Sequence, residues 1–169
     1  MSPTEFQQQV LPLKNQLFRF AWSYLGNEAD AKDVVQDVML KVWEQQKRVE
    51  IRNLEAWCMK LTRNHALDKL KRKGRNYLPI AEQYDLHSEE ADPLKQTEEL
   101  EFVGRLRQAM EQLPEAQREA IQLRDVEGYS YQEIAELLQL ELNHVKVLLH
   151  RARKKVKEQL IRVHNHGII

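Results

Sequence analysis

The stretch Leu113–Lys155, LPEAQREAIQLRDVEGYSYQEIAELLQLELNHVKVLLHRARKK, decides the fold. It reads as two short helices, a turn, and a longer helix ending in a basic run. Ser130 and Glu133 form a capping box, the hydroxyl meeting a backbone N–H at the helix start and the carboxylate reaching back. Ile134, Ala135, Leu137 and Leu138 give that helix an apolar side. After a break at Gln139–Leu142 an apolar stripe resumes at Leu142, Val145, Leu149, Ala152, Val156 and Leu160, in helical steps of three and four. Lys146, His150, Arg151, Arg153, Lys154, Lys155 and Lys157 place positive charge on the outer faces. A short capped helix, a tight turn and a second helix with basic outer faces is the form in which a helix-turn-helix enters the major groove. A helical hairpin with merely solvated charges is the plain alternative. The gathering of cations toward one helix end favours DNA, where each Lys or Arg that meets a phosphate releases a counterion and makes affinity salt-dependent.

The whole chain agrees with an all-α fold. Its 169 residues have room for one ordinary domain or two small ones, and 42% hydrophobic with 31% charged residues suit a globular protein. Gly and Pro number 5 each, while good helix formers dominate. No run approaches the ~20 apolar residues of a membrane span, so the chain is not expected to span a membrane. The N-terminus has no basic segment followed by an apolar one, which argues against a signal peptide. Cys58 stands alone, so no intrachain disulfide forms and a cytoplasmic, reducing location is expected. The formal net charge of zero hides a partition. Residues 1–76 hold 14 Lys+Arg against 9 Asp+Glu, residues 77–112 hold 3 against 9, and residues 113–169 hold 9 against 8. Two positive ends around an acidic middle imply two modules and a linker. The expected division is a first domain over 1–76, a linker over 77–97 and a second domain over 98–169. The acidic middle is also placed to lie against the basic surfaces when no partner is bound.

Along the chain, Ser2, Pro3 and Glu5 mark a helix start. Pro12 interrupts or restarts that helix, which runs through Phe18, Phe20, Trp22 and Tyr24 to Gly26. Asn27–Gln46 is the cleanest helix, with Ala31, Val34, Val35, Val38, Val42 and Trp43 at i, i+3, i+4 and i+7 spacing. Asp30, Asp33, Gln36, Asp37 and Lys41 occupy its other faces. A turn near Val49–Arg52 leads to Asn53, a cap for a third helix to about Lys73, ended by Gly74. Residues 76–97 lose periodicity. Helical pattern returns from Glu98 to Gln112, before Pro114.

The third helix and its preceding turn mix residue types in an unusual way. Lys47, Arg48, Arg52, Lys60, Arg63, Lys69, Lys71, Arg72, Lys73 and Arg75 form a basic track, joined by Trp57, Asn53 and Asn64. Cations follow a phosphate backbone, an aromatic face stacks on an unpaired base, and an amide reads a base edge. Trp57 is also in step with Leu54 and Leu61, which fits core packing equally well. Asn64 lies mid-helix with no capping role, where Asn is a mediocre helix former.

With those residues in view, the chain resembles a bacterial RNA polymerase sigma factor of the extracytoplasmic-function group. The likeness lies in DAKDVVQDVMLKVW (Asp30–Trp43), AWCMKLTRNHALDKLKRK (Ala56–Lys73), LPEAQREAIQLRDVEGYSYQEIA (Leu113–Ala135) and VKVLLHRAR (Val145–Arg153), which cover both halves in the family's order. The resemblance implies two small helical domains, the region 2 bundle and the region 4 helix-turn-helix. It implies that Asp33, Gln36, Asp37 and Lys41 dock on core RNA polymerase. It implies that Arg52, Asn53, Trp57, Lys60, Arg63, Asn64, Lys69, Lys71, Arg72 and Lys73 capture the melted −10 element of the promoter. His144, Lys146, Val147, His150, Arg151, Arg153 and Lys154 would meet the −35 element. Core polymerase, promoter DNA and an anti-sigma factor, often membrane-anchored in this group, are the implied partners. Neither a cofactor nor a metal is implied.

The chain departs from the family at the helix-turn-helix turn. Gln139, Glu141, Asn143 and His144 replace its Gly and hydroxyl caps, and Val147 and Leu148 replace a Ser and an Arg. Losing the Gly and the caps is expected to weaken the hairpin by ~1 kcal/mol, with Asn143 as a partial substitute cap. Val147 and Leu148 are expected to be exposed on the DNA-facing helix, touching thymine methyls or a protein partner. A conventional helix-turn-helix regulator is disfavoured because the N-terminal half shows no strand pattern for a sensory domain. A sigma-like interaction module that no longer reads promoters is the other rival. No nucleophile motif, Gly-rich phosphate loop or metal-ligand spacing points to an enzyme.

Overall fold

The computed structural model describes residues 1–45, 53–74 and 93–166. Eight α-helices and no strand make up the described residues: α1 (Pro3–Gln9), α2 (Lys14–Leu25), α3 (Glu28–Gln45), α4 (Leu54–Arg72), α5 (Pro93–Glu111), α6 (Glu115–Ile121), α7 (Tyr131–Leu138) and α8 (Leu142–His166). A short 3-10 turn at Leu11–Leu13 joins α1 to α2, and α6 runs on into a single π-helical turn, Gln122–Val126.

The helix boundaries follow local chemistry. Ser2 and Glu5 close the capping box on α1, with Pro3 at the first helical position. Asn53 caps α4 through the Ala56 N–H at 3.0 Å. Gly26 ends α2 in the left-handed conformation at φ 61°, a region that costs a residue with a Cβ more than it costs glycine. The start of α5 differs from the sequence expectation. The helix begins at Pro93 rather than Glu98, so the last residues assigned to the linker are helical. Proline's fixed φ suits a first helical turn, and the Leu-Lys-Gln that follow are good helix formers. The expected turn at Val49–Arg52 lies outside the described residues, as do Lys47, Arg48, Arg75 and positions 77–92 of the linker.

Two cores form. In the N-terminal half α2 packs on α3 and α4, and α3 on α4. Leu17, Phe20, Tyr24, Val34, Val38, Val42, Cys58 and Met59 are sealed there. Trp43, read as part of the apolar stripe of α3, is 40% exposed and sits edge-on to Phe6 at the helix end. In the C-terminal half α8 is the hub, against α5, α6 and α7. Leu123, Ile134, Val145, Leu149 and Ala152 are buried at its centre.

Candidate nucleic-acid interface

The turn between α7 and α8 is made without glycine. Gln139 takes φ 56°, and the Leu140 N–H reaches the Ala135 carbonyl at 2.9 Å while the Gln139 N–H reaches that of Glu136 at 3.4 Å. This paired pattern is a Schellman ending, here with a side chain in the left-handed position. The Val145 N–H donates to Glu141 O, so α8 starts on Glu141. Asn143 therefore lies inside the first turn and is not the substitute cap expected of it. Ser130 and Glu133 do form the capping box that opens α7, at 3.1 and 2.7 Å.

On α8 the buried set is Val145, Leu148, Leu149, Ala152 and Val156. His144, Lys146, Val147, His150, Arg151, Arg153 and Lys154 are all exposed. Steps of three and four put Asn143, Val147, His150 and Lys154 along the middle of that outer face. Leu148 does not join them. It is 6% exposed, because it falls within one turn of Val145, Leu149 and Ala152 and belongs to the packed stripe. Arg153 is the one member of the set tied down by a bidentate ion pair across the fold, its Nε and Nη2 reaching Asp125 at 3.0 and 2.6 Å. The hydrogen bonds to Asp125 raise its pKa and clamp α8 to the π-helical turn.

The residues of α4 sort into three groups. Trp57, Lys60, Asn64 and Lys71 share one face at steps of three, four and seven; Lys60, Asn64 and Lys71 are exposed, and Trp57 is half-buried against the core. Arg72 is exposed, and Asn53 is committed to the helix cap. Lys69 and Lys73 instead join α4 to α3. Lys69 lies 3.2 Å from Asp33 and 3.6 Å from Asp30, and Lys73 pairs with Asp30. Burial opposes the charge of Asp30, but the hydrogen bond from Lys73 and the two ammonium charges hold its carboxyl below the ordinary value. Arg52 lies outside the described residues.

The exposed side of α3 carries Asp33, Gln36 and Asp37, with Leu40 and Trp43 also open and Lys41 half-buried. His65 of α4 sits near Lys41 and Asp37. Burial first, then Lys41, hold its pKa below the usual value. Polar groups around two open apolar side chains are the composition of an interface rim about a core.

The third group of α4 is Arg63, which turns away from that track toward α6. Its Nε donates to Glu119 Oε1 at 2.8 Å and its Nη2 to Oε2 at 3.4 Å, and the Tyr24 hydroxyl donates to Oε1 at 2.5 Å. Burial works against the Arg63 charge, yet Glu119 outweighs it and its pKa is raised. Two further contacts flank this one. Arg19 pairs with Glu127 at 3.1 and 3.4 Å, and the Tyr129 hydroxyl donates to Glu55 at 2.7 Å with the Gln16 amide alongside. None of Gln16, Arg19, Tyr24, Glu55, Glu119, Glu127 or Tyr129 stands out in the sequence as a functional residue. In the structure Gln117, Arg118 and Glu119 of α6 are buried in succession. A polar helix covered on both sides must meet polar partners.

Residues 10–76 match the Sigma-70 region 2 family and residues 104–156 the Sigma-70 region 4 family. The chain is 30% identical to RNA polymerase sigma factor SigV of Bacillus subtilis, over 87% of this chain and 86% of that one. It is also 30% identical to ECF RNA polymerase sigma factor SigE of Mycolicibacterium smegmatis over 86% of its length, spanning 58% of that longer relative. Among solved structures it is similar to the sigma factor RpoE of Bartonella quintana, in complex with the anti-sigma factor NepR. That likeness has a TM-score of 0.75 and 26% identity and covers 93% of this chain and 97% of that one. CnrH in complex with the cytosolic domain of CnrY matches with a TM-score of 0.70 and 26% identity, over 95% and 90% of the two chains. Among the described residues no helix is long and apolar enough to cross a membrane.

Proposed function

The chain belongs to the extracytoplasmic-function group of RNA polymerase sigma factors, and from that membership we propose that it binds core RNA polymerase and directs promoter recognition, melting and transcription initiation. One observation carries the reading. The capped α7 and the open outer face of α8 make a helix-turn-helix, and it follows, in the same chain, a helical unit whose α4 presents Trp57, Lys60, Asn64 and Lys71 together. One module suits duplex DNA and the other an unpaired strand.

In this reading 1–76 is the polymerase- and −10-binding domain, 98–169 the −35-binding domain, and 77–97 the linker. Asp33, Gln36, Asp37 and Lys41 on α3 meet the polymerase. On α8, Lys146, Val147 and His150 face bases while Arg151 and Lys154 meet phosphates. The chemistry of RNA synthesis belongs to the polymerase, and this chain supplies binding free energy only. It acts in the cytoplasm, where its promoters are. A single helix-turn-helix buries about 600–1,000 Å², so the isolated chain binds promoters weakly; with polymerase fixing both modules, the second contact becomes intramolecular. An anti-sigma factor is the inhibitor this reading implies, as in the solved complexes.

Run-off transcription with purified core polymerase and a promoter library tests the proposal. Promoter-dependent transcripts support it. Neither transcript nor core binding in a pull-down overturns it. Core binding without initiation would make the chain a decoy, and specific duplex binding without core would make it a conventional regulator.

A further inference from the structure

We propose that Glu119 is an intramolecular latch: it holds the C-terminal half closed on the N-terminal half and keeps Arg63 from nucleic acid until the two halves part. Arg63 lies on α4 beside Trp57, Lys60 and Asn64, and this inference rests on α4 being the surface that takes the melted promoter strand.

Guanidinium forks bind planar anions bidentately, and carboxylate and phosphate compete for the same fork. Glu119 fills the fork of Arg63 from 56 residues away, as a nucleic-acid phosphate would. Its side chain is 5% exposed, and that of Arg63 is 24% exposed. Tyr24, on the same half as Arg63, donates a third hydrogen bond to the same carboxylate and so belongs to the same latch.

The rest of the contact is built to open. Its specific bonds are polar: Arg19 to Glu127, Tyr129 to Glu55, and the Gln16 amide to both Tyr129 and Glu55. Beside them a groove remains between α2 and α5–α6, bounded by Trp22 and Ser23 on one side and by Leu106, Met110 and Val126 on the other. Polar bonds beside an unfilled groove are features of a transient interface. The closure that the charge partition suggested falls largely on positions 77–92, outside the described residues. The carboxylates on Arg19 and Arg63 come from Glu127 and Glu119, beyond the acidic segment 77–112.

The test uses the full chain with Glu44→Cys and Gln132→Cys labelled by a donor–acceptor dye pair, both sites being exposed and Cys58 buried. In this background Glu119→Gln is expected to lower transfer efficiency and to raise affinity for a fluorescent single-stranded promoter oligonucleotide at least 5-fold, with helicity unchanged. Tyr24→Phe, which removes only one hydroxyl, is expected to move both readouts the same way by less. The exchange Arg63→Glu with Glu119→Arg is expected to restore the closed distance without restoring oligonucleotide binding. Unchanged transfer efficiency in Glu119→Gln and Tyr24→Phe overturns the latch. Adding Arg63→Ala to Glu119→Gln separates the two claims: undiminished oligonucleotide binding there overturns the reading of α4 and says nothing against a changed distance.

Discussion

Val147 and Leu148 are neighbours in sequence, about 100° apart around α8, the first 43% and the second 6% exposed. A single residue step separates a side chain open to DNA from one that holds α8 to its core. Val147→Ala is therefore expected to change stability by less than about 0.5 kcal/mol and to alter which promoters are used. Leu148→Ala is expected to cost about 2–4 kcal/mol. Urea unfolding of both variants, with run-off transcription of Val147→Ala on a promoter library, checks the contrast.

Gln139 holds a left-handed conformation that glycine adopts without strain. Gln139→Gly is expected to stabilise the chain by about 0.5–1 kcal/mol, the relief at the turn exceeding the added freedom of the unfolded chain. The readout is a higher urea midpoint at unchanged slope. A lower midpoint would mean that the Gln139 side chain contributes more than its backbone costs.

Asp30 ties α3 to α4 through Lys69 and Lys73, and its carboxyl titrates below the ordinary value. A carboxyl depressed on folding adds stability above its unfolded pKa of about 3.9 and loses it as pH falls through the lower folded value. Stability is expected to fall below pH ~4 in the parent chain, and less steeply in Asp30→Asn. At pH 7 that variant is expected to cost about 1 kcal/mol, since both lysines are partly solvated. Thermal unfolding across pH 3–7 makes the comparison.

Cys58 is fully buried in the N-terminal core, and desolvation followed by Glu55 pushes its thiol up to about 11. The thiolate is the reactive form. A disulfide reagent at pH 8 is expected to modify Cys58 only as fast as the N-terminal half opens, and at once in denaturant. Rapid modification of the native chain would show that this core breathes.

Much of the fold is legible in the sequence. The stripes Val34–Val38–Val42 and Val145–Leu149–Ala152–Val156 are periodic, the capping boxes at Ser2 and Ser130 are local, and Gly26 and Asn53 mark ends by their own chemistry. The same local logic erred where two signals competed. Alignment with a family arginine predicts an exposed Leu148, whereas its spacing puts it in the buried stripe. Trp43 followed the stripe of α3 but lies where the helix outruns its partners. Asn143 is expected as a cap, yet it lies in the first turn of α8 and the cap position is that of Glu141.

The sequence alone settled helix placement, the helix-turn-helix, the two-module plan and the family, because each is written in spacings of three to seven residues or in motifs taken in order. Only the tertiary structure decided which cations are engaged within the protein and which are open. Lys69 and Lys73 go to Asp30 and Asp33, Arg153 to Asp125, and Arg63 to Glu119, across 28 to 56 residues. Periodicity reports which side of a helix is buried, whereas an ion pair depends on which two sides the fold brings within about 4 Å. No pattern within one helix carries that information.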